Sequence, residues 1–390
     1  MSTAPVTGRR AFLKTLGCGA CAMCADCLLA RAAWARQVQG RNQVAVHDAM
    51  WFETIEDNAV RCTLCPRECV VADVERGYCG VRENQGGEYK TLVYGTLCSV
   101  NVDPIEKKPL FHYLPATTAL SVATPGCNME CKFCQNWEIS QFRPEQVTSY
   151  LVPPRDVVQL AVSHNSPTIA YTYSEPVVFY EYAHDTAALG RRQGVGSVLI
   201  SNGYILEEPL RQLCQHLTAV KVDLKAFTET FYADHCAASL APVLDTLDVL
   251  ADIGIHTEVV VLLIPTLNDS AAEIREMARW LVEHMGPDVP VHFSRFHPIY
   301  RMKNLPPTPV AVLERARRIA LDSGLNYVYL GNVPFHEGES TYCPRCGKMV
   351  IQRVGYRTDV VGLEDGACAS CGCNIPGVWT QEQALAVRRG

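Results

Sequence analysis

Nineteen cysteines, an odd number, constrain this chain more than any other feature, because sixteen of them fall into four tight groups. The groups are Cys18/Cys21/Cys24/Cys27, Cys62/Cys65/Cys69/Cys79, Cys127/Cys131/Cys134 and Cys343/Cys346/Cys368/Cys371/Cys373, while Cys98, Cys214 and Cys236 stand apart. Disulfide frameworks belong to small secreted domains without a core, and gaps of two and three residues are not their signature. Thiolates at such gaps ligate metals, so several metal centres are expected. The 390 residues are 48% hydrophobic and 19% charged, enough for one large core or two smaller ones, which excludes disordered, collagen-like and coiled-coil classes. A net charge of −6 without a long basic block predicts no nucleic-acid partner, and no apolar run is long enough for a transmembrane span.

Four segments follow from pattern and composition. Residues 1–36 hold Arg9-Arg10-Ala11-Phe12-Leu13-Lys14, an apolar middle and Ala33-Trp34-Ala35, a twin-arginine-like leader that points to export to the periplasm or a membrane face. Its four cysteines fit an export signal poorly and can themselves ligate a cluster, so a cytoplasmic protein with a leader of another purpose is the alternative. Residues 37–112 form a cysteine-rich module and linker, too small to be held by burial alone. Residues 113–335 alternate apolar strand runs with helix-period segments, which predicts a partial (β/α)6 barrel of parallel strands covered by helices. Residues 336–390 carry a last small module.

The densest chemistry is Cys127-Asn-Met-Glu-Cys131-Lys-Phe-Cys134, immediately after the first barrel strand. Three thiolates hold three irons of a [4Fe-4S] cluster and leave the fourth open to a substrate, whereas structural zinc wants four ligands in closed geometry. Polar groups also follow each later strand: Ser174-Glu175, Ser201-Asn202-Gly203, Asp223 with Lys225, Pro265-Thr266 with Asn268-Asp269, and Arg295-Phe296-His297. In barrels of this kind, that end bears the active site.

The C-x3-C-x2-C loop with Phe133 before its last cysteine resembles that of the radical SAM superfamily. The resemblance implies an α/β barrel enzyme that binds S-adenosylmethionine (SAM) at the open iron, cleaves it with one electron from a low-potential donor, and abstracts hydrogen with the resulting 5′-deoxyadenosyl radical. It further implies that Glu175, Ser201, Asn202, Asp223, Lys225 and His297 bind the cofactor, as in pyruvate formate-lyase activating enzymes. Tyr173-Ser174-Glu175 departs from their usual Gly-Gly-Glu. No catalytic residue is expected beyond the cluster ligands, since radical abstraction needs no general base. The order of modules from Val46 to Trp379 is similar to the radical SAM component of the AmmeMemoRadiSam system. A protein substrate, such as a Memo-like or AMMECR-like partner, is the corresponding expectation.

Cys62, Cys65, Cys69 and Cys79 can close a four-sulfur site for zinc or an auxiliary cluster, and their spacing does not choose. Cys343, Cys346, Cys368 and Cys371 form two C-x2-C-G knuckles, a zinc-ribbon pattern whose geometry also accepts iron. Cys98, Cys214 and Cys236 read as small apolar fillers. The alternative to an enzyme is an iron–sulfur electron-transfer protein without SAM turnover, but carriers use fully ligated clusters.

Overall fold

Seven parallel strands stand side by side in the order in which the chain makes them, preceded by one antiparallel strand at the edge. In chain order they are β1 (Ser99–Pro104), β2 (Thr118–Ala123), β3 (Thr168–Tyr171), β4 (Gly196–Ser201), β5 (Ala219–Asp223), β6 (His256–Leu263), β7 (Val291–Arg295) and β8 (Val328–Gly331). β1 runs antiparallel to β2, pairing Ser99 with Ala123 and Pro104 with Thr118, and every later neighbour is parallel. The sheet ends at β1 and β8, so it is a partial barrel. This computed structural model describes residues 44–386; the expected leader and its four cysteines lie outside them.

β3 is buried at every position and β4 and β5 at all but one, the two-sided burial that lets apolar runs form parallel strands under helices. The covering helices are α1 (Pro154–Ser163), α2 (Tyr180–Arg192), α3 (Glu207–Cys214), α4 (Ala241–Ile253), α5 (Ala271–Met285) and α6 (Val310–Asp322). Local chemistry sets their ends. Ser270 caps α5 by accepting from Glu273 N, and Gly254 closes α4 in a left-handed turn with φ 65°.

One detail differs from the sequence reading: the sheet begins upstream of residue 113, because β1 joins its edge. β8 is a seventh parallel strand after the six β-α steps, formed from the strand-like run Tyr327 to Leu330. β1 has one solvent-facing run, Val100-Asn101-Val102, so it lacks the continuous burial that marks its neighbours.

The two small modules pack onto this frame. Residues 47–91 make two three-stranded antiparallel sheets. The C-terminal module is a three-stranded antiparallel sheet of Thr341–Tyr342, Met349–Val354 and Arg357–Val360. It shares a core with Phe111, Tyr327 and Tyr329 of the barrel. Buried Arg353 donates to Phe111 O at 2.6 Å and Thr341 Oγ1 at 2.8 Å. No helix of the described residues is long and apolar enough to cross a membrane.

Candidate active site

Cys127, Cys131 and Cys134 line one cavity of about 550 Å³ at the C-terminal ends of the strands, together with Glu175, Asn202, Lys221, Asp223 and Lys225. The loop that carries the cysteines is fixed by its backbone. Glu130 N and Lys132 N donate to Cys236 O and His235 O, each at 2.9 Å, and Arg67 Nε donates to Asn128 O at 3.0 Å. Asn128 Nδ2 donates to Tyr204 O at 2.7 Å. The loop is therefore placed from both sides before any metal arrives.

These residues fit a cluster with an open corner. Cys127 Sγ accepts from Met129 N at 3.4 Å and from Asn202 Nδ2 at 3.9 Å, the kind of donors that favour thiolate ligands. Burial pushes the Cys127 thiol well up and Cys134 up to about 11, so binding a metal there would release protons. Cys131 is shifted the other way, chiefly because the Cys236 thiol hydrogen-bonds to it. Cys236 itself is packed in the apolar core, as a filler would be. It is buried on the turn Tyr232–Cys236, but it does not join Cys131 in lining the cavity. Cys236→Ala is accordingly expected to keep its iron and to cleave SAM within about threefold of the parent, a change of under ~1 kcal/mol. Loss of a whole cluster in that variant would make Cys236 a ligand.

Glu175 also lines the cavity and accepts three hydrogen bonds: from Ser201 Oγ at 2.7 Å, Asn202 N at 2.8 Å and Val177 N at 3.1 Å. Burial nevertheless raises its carboxyl to about 7, so a cationic neighbour would be needed to secure its charge at neutral pH. Asn202 faces the cavity, whereas Ser201 spends its hydroxyl on Glu175 and on Gly203 N. Asp223 sits between Lys221 and Lys225, the latter at 3.0 Å. Burial opposes its charge, but the two lysines outweigh burial and hold the carboxyl down. His297 is exposed and lies apart from this group, so the structure does not bring it to the cavity.

Several lining residues escaped the sequence reading. Lys221 is a cation inside an apolar strand, Val220-Lys221-Val222, and that interruption was a readable signal. Lys107 and Lys108 reach the cavity from the segment after β1, each 2.7 Å from Asp103, which also accepts from the Tyr173 hydroxyl. Tyr173 adopts φ 67°, a left-handed conformation that glycine prefers and that costs other residues about 1 kcal/mol. The Tyr173 carbonyl accepts from Asn136 Nδ2 at 2.7 Å, which helps hold this turn.

In the C-terminal module, the sulfurs of Cys343, Cys346, Cys368 and Cys371 all lie within 4.8 Å of one another, with Cys343–Cys371 at 3.6 Å and Cys346–Cys368 at 3.7 Å. A single ion with sulfur ligands at about 2.3 Å brings four sulfurs to roughly 3.8 Å in a tetrahedron, so these four are spaced as one ion would require. Cys373 stands outside the group, its thiol directed to Asn374 O.

Residues 121–281 match the radical SAM superfamily. An uncharacterized protein of Methanocaldococcus jannaschii is 44% identical over 332 residues, spanning 85% of this chain and 99% of the relative. A second protein of that organism, named as a candidate glycyl-radical enzyme activating enzyme, is 24% identical over 178 residues, or 44% of this chain and 66% of the relative. Among solved structures, a radical SAM methyltransferase from Sphaerobacter thermophilus aligns with a TM-score of 0.45 at 16% identity, covering 58% of this chain and 70% of the other. A domain of a pyruvate-formate lyase-activating enzyme from Bacteroides vulgatus gives 0.38 at 16% identity, covering 42% and 98%. The matched segment begins in β2, just ahead of the three-cysteine loop, and ends in α5, so it spans the elements that build most of the cavity. With a 44% identical relative aligned along nearly its whole length, the chain belongs to the radical SAM superfamily and is an enzyme.

Proposed function

We propose that this enzyme uses SAM to abstract hydrogen from a protein partner, in the manner of an activating enzyme. The observation that carries the SAM reading is the three-cysteine loop facing a cavity in which no further cysteine lines the wall among the described residues. When bound, a [4Fe-4S] cluster with SAM at its open iron supplies the one-electron cleavage of the sulfonium and the hydrogen-abstracting radical.

The chain's own residues bind and orient. Cys127, Cys131 and Cys134 hold the cluster. Glu175 is placed to receive the ammonium of SAM, whose charge would complete the ionisation that burial opposes. Lys225, kept cationic by Asp223 and Cys131 against the effect of burial, is placed for the carboxylate. Buried Met129 and Phe133 wall the loop against water. Lys107, Lys108, Tyr173 and Tyr356 leave a polar side of the cavity for the second substrate.

The name of the shorter relative favours a protein substrate, as does the resemblance to the AmmeMemoRadiSam component; Memo-like and AMMECR-like proteins are the partners to try. The leader places the enzyme in an exported or membrane-facing location in this reading, and the C-terminal four-cysteine site is a zinc ribbon. Anaerobic reconstitution with iron and sulfide, followed by dithionite and SAM, is expected to yield 5′-deoxyadenosine, faster with the right partner present. A loaded enzyme that leaves SAM intact would sink the proposal. Glu175→Gln is expected to weaken SAM binding about tenfold, or ~1.4 kcal/mol, in equilibrium dialysis. An unaltered affinity would remove Glu175 from the site.

A further inference from the structure

A further group of four cysteines lies outside the SAM cavity. Cys62, Cys65, Cys69 and Cys79 converge in the N-terminal module: Cys62 N donates to Cys69 O at 2.9 Å, Tyr78 N to Cys69 Sγ at 3.4 Å, and Arg82 Nη1 to Cys62 Sγ at 3.9 Å. Yet no three of their sulfurs lie mutually within 4.8 Å, whereas those of the C-terminal site do. One ion would draw them to roughly 3.8 Å, but a cubane spreads its ligands over four irons. The spread spacing fits the cubane. Arg82 is fully buried against Cys62, ion-paired to Glu181, with its Nε lacking a partner. With its charge balanced by Glu181, it gives Cys62 a fixed guanidinium donor, of the kind that favours a thiolate ligand.

The position of this group is as telling as its spacing. Cys79 and Cys127 line one cleft of about 670 Å³. A side chain at Gly126 would meet Val81 Cγ1 at 2.6 Å and Cys79 O at 3.3 Å, so glycine lets the module press directly on the three-cysteine loop. A run of side-chain contacts then joins the two sites. Arg67, in the loop between Cys65 and Cys69, donates from Nε to Asn128 O at 3.0 Å, Asn128 Oδ1 accepts from Asn202 Nδ2 at 2.9 Å, and Asn202 Nδ2 also reaches Cys127 Sγ at 3.9 Å.

We propose that Cys62, Cys65, Cys69 and Cys79 hold a second [4Fe-4S] cluster and that Asn128 and Asn202 link it to Cys127 as the route by which electrons reach the SAM site. The link rests on the radical SAM reading above; the second cluster does not. One electron arrives from a low-potential one-electron carrier, oxidising it, and one leaves toward Cys127. No bond forms or breaks and no proton moves.

The test uses the full chain, reconstituted anaerobically. About eight iron and eight sulfide per chain are expected for two [4Fe-4S] clusters, falling by half in Cys62→Ala/Cys65→Ala, which keeps the SAM-responsive electron paramagnetic resonance signal. Cys127→Ala/Cys131→Ala/Cys134→Ala is expected to keep the other half and lose that signal. Zinc without sulfide at the N-terminal site in either background overturns the second cluster. A wild-type protein with both clusters but no SAM-responsive signal overturns the SAM reading instead. Asn128→Ala, with Asn128→Ser should alanine not fold, is expected to keep all iron but slow reduction of the SAM-responsive signal by reduced methyl viologen at least tenfold. An unchanged rate overturns the link.

Discussion

Cys131→Ala is expected to lower 5′-deoxyadenosine formation by about a thousandfold or more, some 4 kcal/mol of lost transition-state stabilisation, while the protein stays folded. The fold should survive because the loop is held through its backbone and through Asn128: Glu130 N and Lys132 N donate to residues 236 and 235, and Asn128 Nδ2 donates to Tyr204 O. Removing one sulfur leaves those bonds in place and costs a small packing term. The chemistry should not survive, since two thiolates cannot present a site-differentiated cubane at the cavity. Iron analysis should show one cluster lost, with the metal of the C-terminal site retained. SAM turnover near the parent rate would mean that the reaction runs somewhere other than this loop.

The contrast between Cys131 and Cys236 shows how far the residues could be read without coordinates. The three-cysteine spacing announces a ligand loop by itself. Cys236 announces nothing, because its bond to Cys131 joins residues more than a hundred positions apart. Strands β3 to β7 were legible for a physical reason: burial on both faces writes itself as a largely apolar run, which survives interruptions such as Lys221 and Glu258. β1 was not, since an edge strand with one wet face looks like a linker. The same limit hid Asn128, which stands in the open within the Cys127 loop. Its partners come from two other segments, Arg67 from one and Asn202 and Tyr204 from the other, and only the fold brings them within reach. Tyr173 stands where the sequence departs from Gly-Gly-Glu, and only the fold shows that it takes a left-handed turn tied to Asp103 and Asn136.

Cys346→Ser is expected to strip the ion from the C-terminal site and to produce an early unfolding transition of that module, at least about 20 °C below the parent's. Structural zinc contributes on the order of 10 kcal/mol in free-standing small modules, so losing most of it exceeds any packing change at this position. Packing is in any case a minor part, because Cys346 is exposed. The module will not unravel as freely as an isolated one. Val350, Ile351 and Ile375 share a core with Phe111 and Tyr329, and Arg353 is bonded to the Phe111 carbonyl. A separate early transition is therefore expected, followed by the barrel's own. Cys373→Ser, outside the four-sulfur group, should lose neither the ion nor the melting temperature, which separates a ligand effect from a mere loss of thiol. Tyr356, on the hairpin of this module, lines the SAM cavity. Loss of the ion should thus also reach the active site, lowering 5′-deoxyadenosine formation with iron content unchanged. A single unshifted melting transition in Cys346→Ser would show that the module is held by its contacts with the barrel, with the four sulfurs adding little.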